Sequence, residues 1–185
     1  MRMISRAAVG LFAVGLFTAS TAQTAAVDTL PSRVIIIRHG EKPRDQDNHH
    51  LSKAGQRRAK DLVAFIGAGY PKPIALFATR PSKKLDGIRT RETLEPLARK
   101  LAVSIQTPFE SEKFAGLAKE IRTNRRYAGK TILICWTHDE IPDLAAALGV
   151  RPKPARWKSS VFDRVYVITY SGGKATLSTT RYGAK

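Results

Sequence analysis

Arg33-Val34-Ile35-Ile36-Ile37-Arg38-His39-Gly40-Glu41 places four β-branched residues in a row and then stops at a charged turn broken by glycine. An apolar run without alternation suits a strand covered on both faces, as in a parallel sheet held between layers of helices. Open sheets of that kind bind ligands just beyond the carboxyl ends of their strands, which is where Arg38 and His39 fall. Gly40 has no Cβ, so the backbone can turn there and leave an imidazole and a guanidinium aimed into one crevice.

Further elements follow outward from this strand. Lys130 to Trp136 repeats the pattern of a buried strand and ends in Thr137-His138-Asp139-Glu140. Pro73 to Ala78 reads as a strand leading into Thr79-Arg80-Pro81, and Val103 to Gln106 as a shorter one. Ser52 is an N-cap for a helix over Lys53 to Ile66, which Gly67 and Gly69 are expected to stop. A helix follows Arg89, another covers Glu112 to Arg122 with Phe114, Leu117, Ala118 and Ile121 on one side, and a third runs from Ile141 to Leu148. Pro142 opens that third helix, so its free N–H groups face the region of His138 and favour an anion there. Val161 to Thr169 and Ala175 to Thr180, around Gly172-Gly173, read as a closing hairpin after the extended basic linker Arg151-Pro152-Lys153-Pro154. The pattern predicts an α/β fold: a three-layer αβα sandwich with a mostly parallel central sheet.

The 185 residues suffice for one domain behind a targeting segment. Arg2 and Arg6 precede an apolar, uncharged run from Ala7 to Ala19, and small residues follow through Ala26. That is the layout of a secretory signal, and the apolar run is short of the roughly 20 residues that span a bilayer. The expected organisation is a signal peptide over 1–26, cleaved after Ala22 or Ala26, and one domain over 27–185. The expected location is periplasmic or secreted, with no transmembrane anchor after cleavage. Export makes the single cysteine informative: Cys135 cannot form an internal disulfide and reads as core packing.

The formal charge is +17, and loss of Arg2 and Arg6, with no acid before Asp28, leaves +15. Such a surface attracts polyanions, among them phosphorylated metabolites, anionic lipids and nucleic acid. Specific nucleic-acid binding is disfavoured, because the Lys and Arg are spread along the chain without interleaved aromatics. Asp45, Asp47, His49 and His50 share one polar loop, but neither helical His spacing nor a cysteine supports a metal site there.

Arg38-His39-Gly40 at a strand end resembles the signature of the histidine phosphatase superfamily, the phosphoglycerate-mutase-like proteins. Leu51-Ser52-Lys53-Ala54-Gly55-Gln56-Arg57-Arg58-Ala59 is similar to that family's segment after its first loop, and Arg89-Thr90-Arg91-Glu92-Thr93 to its arginine at the start of a helix. The resemblance runs from about Arg33 to the last hairpin, without the inserted cap of larger members. It implies a phosphoglycerate-mutase-like fold in which His39 becomes phosphorylated, Arg38 and Arg89 hold the phosphate, and His138 is the second histidine. Several extra residues, Ser82 to Ile88, loosen the register, so Arg80 or Arg91 could share the role of Arg89. Where the family commonly carries Thr-His-Gly, this chain has Asp139 in place of the glycine. That departure resembles the acid-phosphatase branch, whose His-Asp pair supplies the second histidine and the proton donor. Glu110 stands nearest the glutamate donor of the mutase-like branch, so Asp139 and Glu110 are both candidates for the acid.

The residue types suit the chemistry. A phosphomonoester needs an in-line nucleophile, cations for the equatorial oxygens and a proton for the leaving alkoxide. A neutral imidazole can attack through one nitrogen when the other is fixed as a donor, and guanidinium forks match phosphate oxygens. The scheme calls for no metal or other cofactor. It points to a phosphatase acting on a phosphorylated small molecule, a phospholipid or a phosphoprotein. A non-catalytic polyanion-binding envelope protein and a phosphomutase are the alternative readings, and oligomeric state is not legible.

Overall fold

The computed structural model describes residues 29–45, 47–82 and 87–183. The expected signal peptide over 1–26 lies outside the described residues. Six strands form one sheet: β1 (Arg33–Arg38), β2 (Ala75–Ala78), β3 (Ile105–Gln106), β4 (Thr131–Trp136), β5 (Arg164–Ser171) and β6 (Lys174–Arg181), in the spatial order β3-β2-β4-β1-β5-β6. The first four of these pair in parallel, and β5 and β6 add an antiparallel hairpin beside β1. The sheet is therefore mixed, with the parallel part holding the two apolar runs that dominate the sequence.

Alternation along β1 divides the core. Val34 and Ile36, with Phe77, Ile132, Ile134 and Trp136, pack against α3 (Phe114–Thr123) and α4 (Ile141–Ala147). Ile35 and Ile37, with Leu76, Leu133 and Cys135, pack on the opposite face against Leu62 and Ile66 of α1 (Lys53–Gly69) and Leu94 and Leu97 of α2 (Ile88–Leu101). These are the three expected layers, αβα. Ile35, Ile36, Leu62, Leu94 and Leu133 are fully buried, each such side chain stabilising the fold by about 1.5–3 kcal/mol relative to exposure. Cys135 is one of them, and burial pushes its thiol up, away from thiolate chemistry.

Several boundaries differ from the sequence reading: β2 begins at Ala75 instead of Pro73, β3 at Ile105 instead of Val103, and α4 ends at Ala147. Helix α1 is capped by the Ser52 hydroxyl as expected, yet it runs past Gly67 to Gly69. Its last turns are held by Ile66 in the core and by Phe65, whose ring lies 5.1 Å from Tyr70 and 5.4 Å from Tyr182; these contacts outweigh the modest helix penalty of glycine. The third amphipathic helix begins at Phe114, after a 3-10 turn over Ser111–Lys113. The hairpin begins at Arg164, so residues 161–163 form a loop instead of strand. Its turn is the expected Gly172-Gly173, both at positive φ (54° and 76°), a conformation glycine adopts without strain.

The strand order places the site. Helix α1 leaves β1 on one face of the sheet and α4 leaves β4 on the other, so a crevice opens between the carboxyl ends of these two neighbours. Arg38 is in register with Trp136, so His39 and Thr137-His138 emerge side by side.

Candidate active site

A cavity of about 320 Å³ lies at this point, and Arg38, His39, Arg89, His138 and Asp139 all line it. They come from three separate stretches of chain, joined only by the fold. His39 is 7% exposed. Its Nδ1 donates to the Gly40 carbonyl at 2.7 Å, which fixes the tautomer and leaves Nε2 with the lone pair. Burial holds its pKa down to about 3, opposed by the Gly40 bond and reinforced by the positive field of Arg38 and Arg89. His39 is thus neutral throughout the physiological range.

Arg38 is 3% exposed and is clamped from the far end of the sequence. Its Nη1 donates to the carbonyls of Ser159 (2.6 Å) and Val161 (3.1 Å), and its guanidinium lies 3.8 Å from the centre of the Phe162 ring. Burial lowers its pKa to about 10, well above neutrality, so the charge is kept. Trp157 anchors the same loop by donating from Nε1 to the Val161 carbonyl at 2.8 Å. Arg38 Nε and Thr137 Oγ1, on cavity-lining side chains, are buried and make no hydrogen bond among the described residues.

The motif after β2 acts through more than its arginine. The Thr93 hydroxyl accepts the Gly40 N–H at 2.9 Å and donates to the Arg89 carbonyl at 2.7 Å, so one side chain sets the His39 turn against the turn of helix that carries Arg89. Glu92 accepts the Leu51 N–H at 2.8 Å and contacts His50, closing the loop before α1. Gly55 explains the segment after the first loop: a Cβ there would meet the Glu41 carbonyl oxygen at 2.5 Å, and a Cβ on Gly40 would meet Gly55 backbone at 2.9 Å. Two backbones touch where the His39 turn crosses the start of α1, and only glycines allow it. Arg58, one turn along, holds Glu41 through Nη2 at 2.6 Å and Nε at 2.9 Å.

His138 Nε2 lies 3.3 Å from Asp139 Oδ1, and Asp139 is also 3.7 Å from Arg156. Burial, then the Arg38 charge, hold His138 below its usual range, with Asp139 pulling the other way. His138 is therefore neutral near pH 7 and acts as a hydrogen-bonding group. Glu140 lines the cavity as well.

The remaining sequence candidates lie elsewhere. Glu110 precedes the 3-10 turn and its carbonyl accepts the Lys113 N–H, while Ser111 takes the position on the cavity wall. Arg80 donates to the carbonyls of Thr107 and Pro108, away from His39, and Arg91 faces solvent beside Glu95 at 3.7 Å. In the loop before α1, Asp45 accepts the Asp47 N–H and His50 meets Glu92, and among the described residues no group of three potential ligands is assembled to hold a metal ion. Residues the sequence did not mark are Thr93, Phe162, Glu140 and the carbonyls of Ser159 and Val161. Glu140 directly follows the His138-Asp139 pair and Thr93 closes the motif that begins at Arg89, and those adjacencies were the available signals; a main-chain carbonyl leaves none.

This topology is a phosphoglycerate-mutase-like α/β fold, shared with solved structures of phosphatases. The structure of the protein histidine phosphatase SixA complexed with tungstate superposes with a TM-score of 0.57 at 16% identity, over 80% of this chain and 96% of that one. A mycobacterial glucosyl-3-phosphoglycerate phosphatase with inorganic phosphate gives 0.55 at 13%, over 83% and 97%. A phosphoserine phosphatase mutant from Entamoeba histolytica with phosphoserine gives 0.55 at 14%, over 81% and 95%. No family model and no curated protein matches the chain. Identities this low establish the fold and leave the activity to be argued from the site.

Proposed function

We propose that the protein is a phosphatase that hydrolyses phosphomonoesters through a phosphohistidine formed on His39. The observation that carries this reading is the state of His39: neutral, its Nδ1 tied to the Gly40 carbonyl, in a cavity shared with two guanidiniums and a second imidazole. The lone pair on Nε2 attacks phosphorus, while Arg38 and Arg89 meet the equatorial oxygens and the His138 imidazole lies on the same cavity wall. A carboxylic acid of the same cavity protonates the leaving oxygen and later activates water. The similar folds of phosphatases that act on phosphorylated compounds support this reading.

The cavity has no domain folded over it among the described residues, and we place its substrates among phosphorylated small molecules, phospholipids and phosphoproteins. With a signal peptide over 1–26, the working compartment is the periplasm or the exterior.

The test uses the full domain with p-nitrophenyl phosphate and a panel of alkyl phosphates. Wild type is expected to turn over and, on rapid quench, to carry an acid-labile, base-stable phosphoryl label. His39→Ala should lose the label and most of the rate. Undiminished hydrolysis in that variant would end the proposal.

A further inference from the structure

Protonation of the leaving oxygen requires an acid that reaches the cavity and still holds its proton when the substrate arrives. Among the described residues, two carboxyl groups line the cavity, Asp139 and Glu140. They are adjacent in sequence, after β4, yet their contacts differ. Asp139 is 55% exposed and faces cations: His138 Nε2 at 3.3 Å and the Arg156 guanidinium at 3.7 Å. Glu140 is half-buried and makes no ion pair among the described residues; the charges of Asp143 from the first turn of α4, Asp139, and Glu112 from the 3-10 turn after β3 act on it, opposed by Lys153 of the basic linker.

Because one of the two cavity carboxyls is tied to His138 and Arg156 while the other lines the cavity half-buried and outside any ion pair among the described residues, we infer that Glu140 is the general acid, and that Asp139 serves to hold His138. The inference rests on the phosphohistidine reading above and specifies its proton. Burial, and after it the neighbouring carboxylates, push the Glu140 carboxyl up from its ordinary value, which is the direction a proton donor needs.

The steps balance. The His39 Nε2 lone pair forms the N–P bond as the bond from phosphorus to the ester oxygen breaks, and the Glu140 proton moves to that oxygen, giving the alcohol and a Glu140 carboxylate. Water then attacks the phosphohistidine. Glu140 takes a proton from it, the N–P bond returns its electrons to Nε2, and inorganic phosphate leaves with His39 neutral and Glu140 protonated again.

An acid that protonates the leaving group matters in proportion to how poorly that group leaves. Glu140→Gln, which keeps the shape of the side chain, is expected to lower kcat/KM for an alkyl phosphate by about 10² to 10⁴-fold while holding kcat/KM for p-nitrophenyl phosphate nearly constant, because its phenolate departs unaided, and to lower kcat for both esters through the shared dephosphorylation step. Phosphoenzyme should still form from the aryl ester, and the basic limb of the alkyl-ester pH profile should vanish. Glu140→Asp should recover part of the alkyl rate, whereas Asp139→Asn should lower both esters alike. The inference is overturned if Glu140→Gln changes kcat/KM for both esters equally or for neither, or if the leaving-group dependence appears in Asp139→Asn instead. The label on His39 separates the two readings: a labelled Glu140→Gln enzyme with an unchanged leaving-group profile refutes the acid and leaves the nucleophile standing.

Discussion

A histidine can attack phosphorus only while it lacks a second proton, and at His39 the fold withholds that proton by burial and by the positive field of Arg38 and Arg89. The same arrangement has a stability consequence whose sign follows from linkage. In the unfolded chain the imidazole titrates near 6.5, and in the folded protein near 3. Between those values the unfolded state binds a proton that the native state refuses, so this group's contribution is fully present above 6.5 and is lost as pH falls toward 3. The slope approaches about 1.4 kcal/mol per pH unit in the middle of that window. Urea denaturation at pH 6.5 and 4.5 should therefore show wild type losing more stability than His39→Ala over the same interval. Parallel losses in the two proteins would mean that His39 is protonated in the native state, and would count against its role as a nucleophile.

At the scale of elements, β1 and β4 were legible because strands buried on both faces need continuous apolar runs, and Val34 to Ile37 and Ile132 to Cys135 supply them. Their in-register parallel pairing puts His39 beside His138, and both histidines were readable from their place after those runs. The loop over 159–162 was not readable. Its part is to offer two carbonyls and an aromatic face to Arg38, a service of backbone position that follows from where Trp157 and β5 pack. The end of α1 was misplaced for a related reason, since packing of Phe65 and Ile66 decides it over the local preference of glycine. The two kinds of glycine in α1 separate these causes. Gly67→Ala meets nothing within 4 Å and should stabilise the protein by about 0.5–1 kcal/mol through helix propensity. Gly55→Ala gains the same propensity but drives a methyl group into the Glu41 backbone, and should cost about 1–3 kcal/mol net along with much of the activity, as the His39 turn is displaced. Urea midpoints and p-nitrophenyl phosphate turnover of both variants check the pair. Equal effects at the two positions would remove the backbone contact as the reason for Gly55.

Over the whole molecule the charge is +17, or +15 without residues 1–26. A field of that sign concentrates anions around the protein and, with Arg38, Arg89 and Lys42 lining the cavity, is expected to draw phosphate esters toward the site. A basic surface that only solvates the fold makes a different forecast, and salt distinguishes the two. The Debye length shrinks from about 30 Å at 0.01 M to about 8 Å at 0.15 M, so surface charges cease to act at a distance while the buried guanidiniums at the phosphate are little screened. With steering, kcat/KM for a dianionic ester should fall several-fold across that range and kcat should hold nearly constant. Steady-state kinetics in sodium chloride, chosen because chloride is a poor mimic of phosphate, decides the matter. Should kcat/KM stay flat while turnover is robust, the excess of lysine and arginine contributes to solubility alone, and substrate capture belongs to the residues of the cavity.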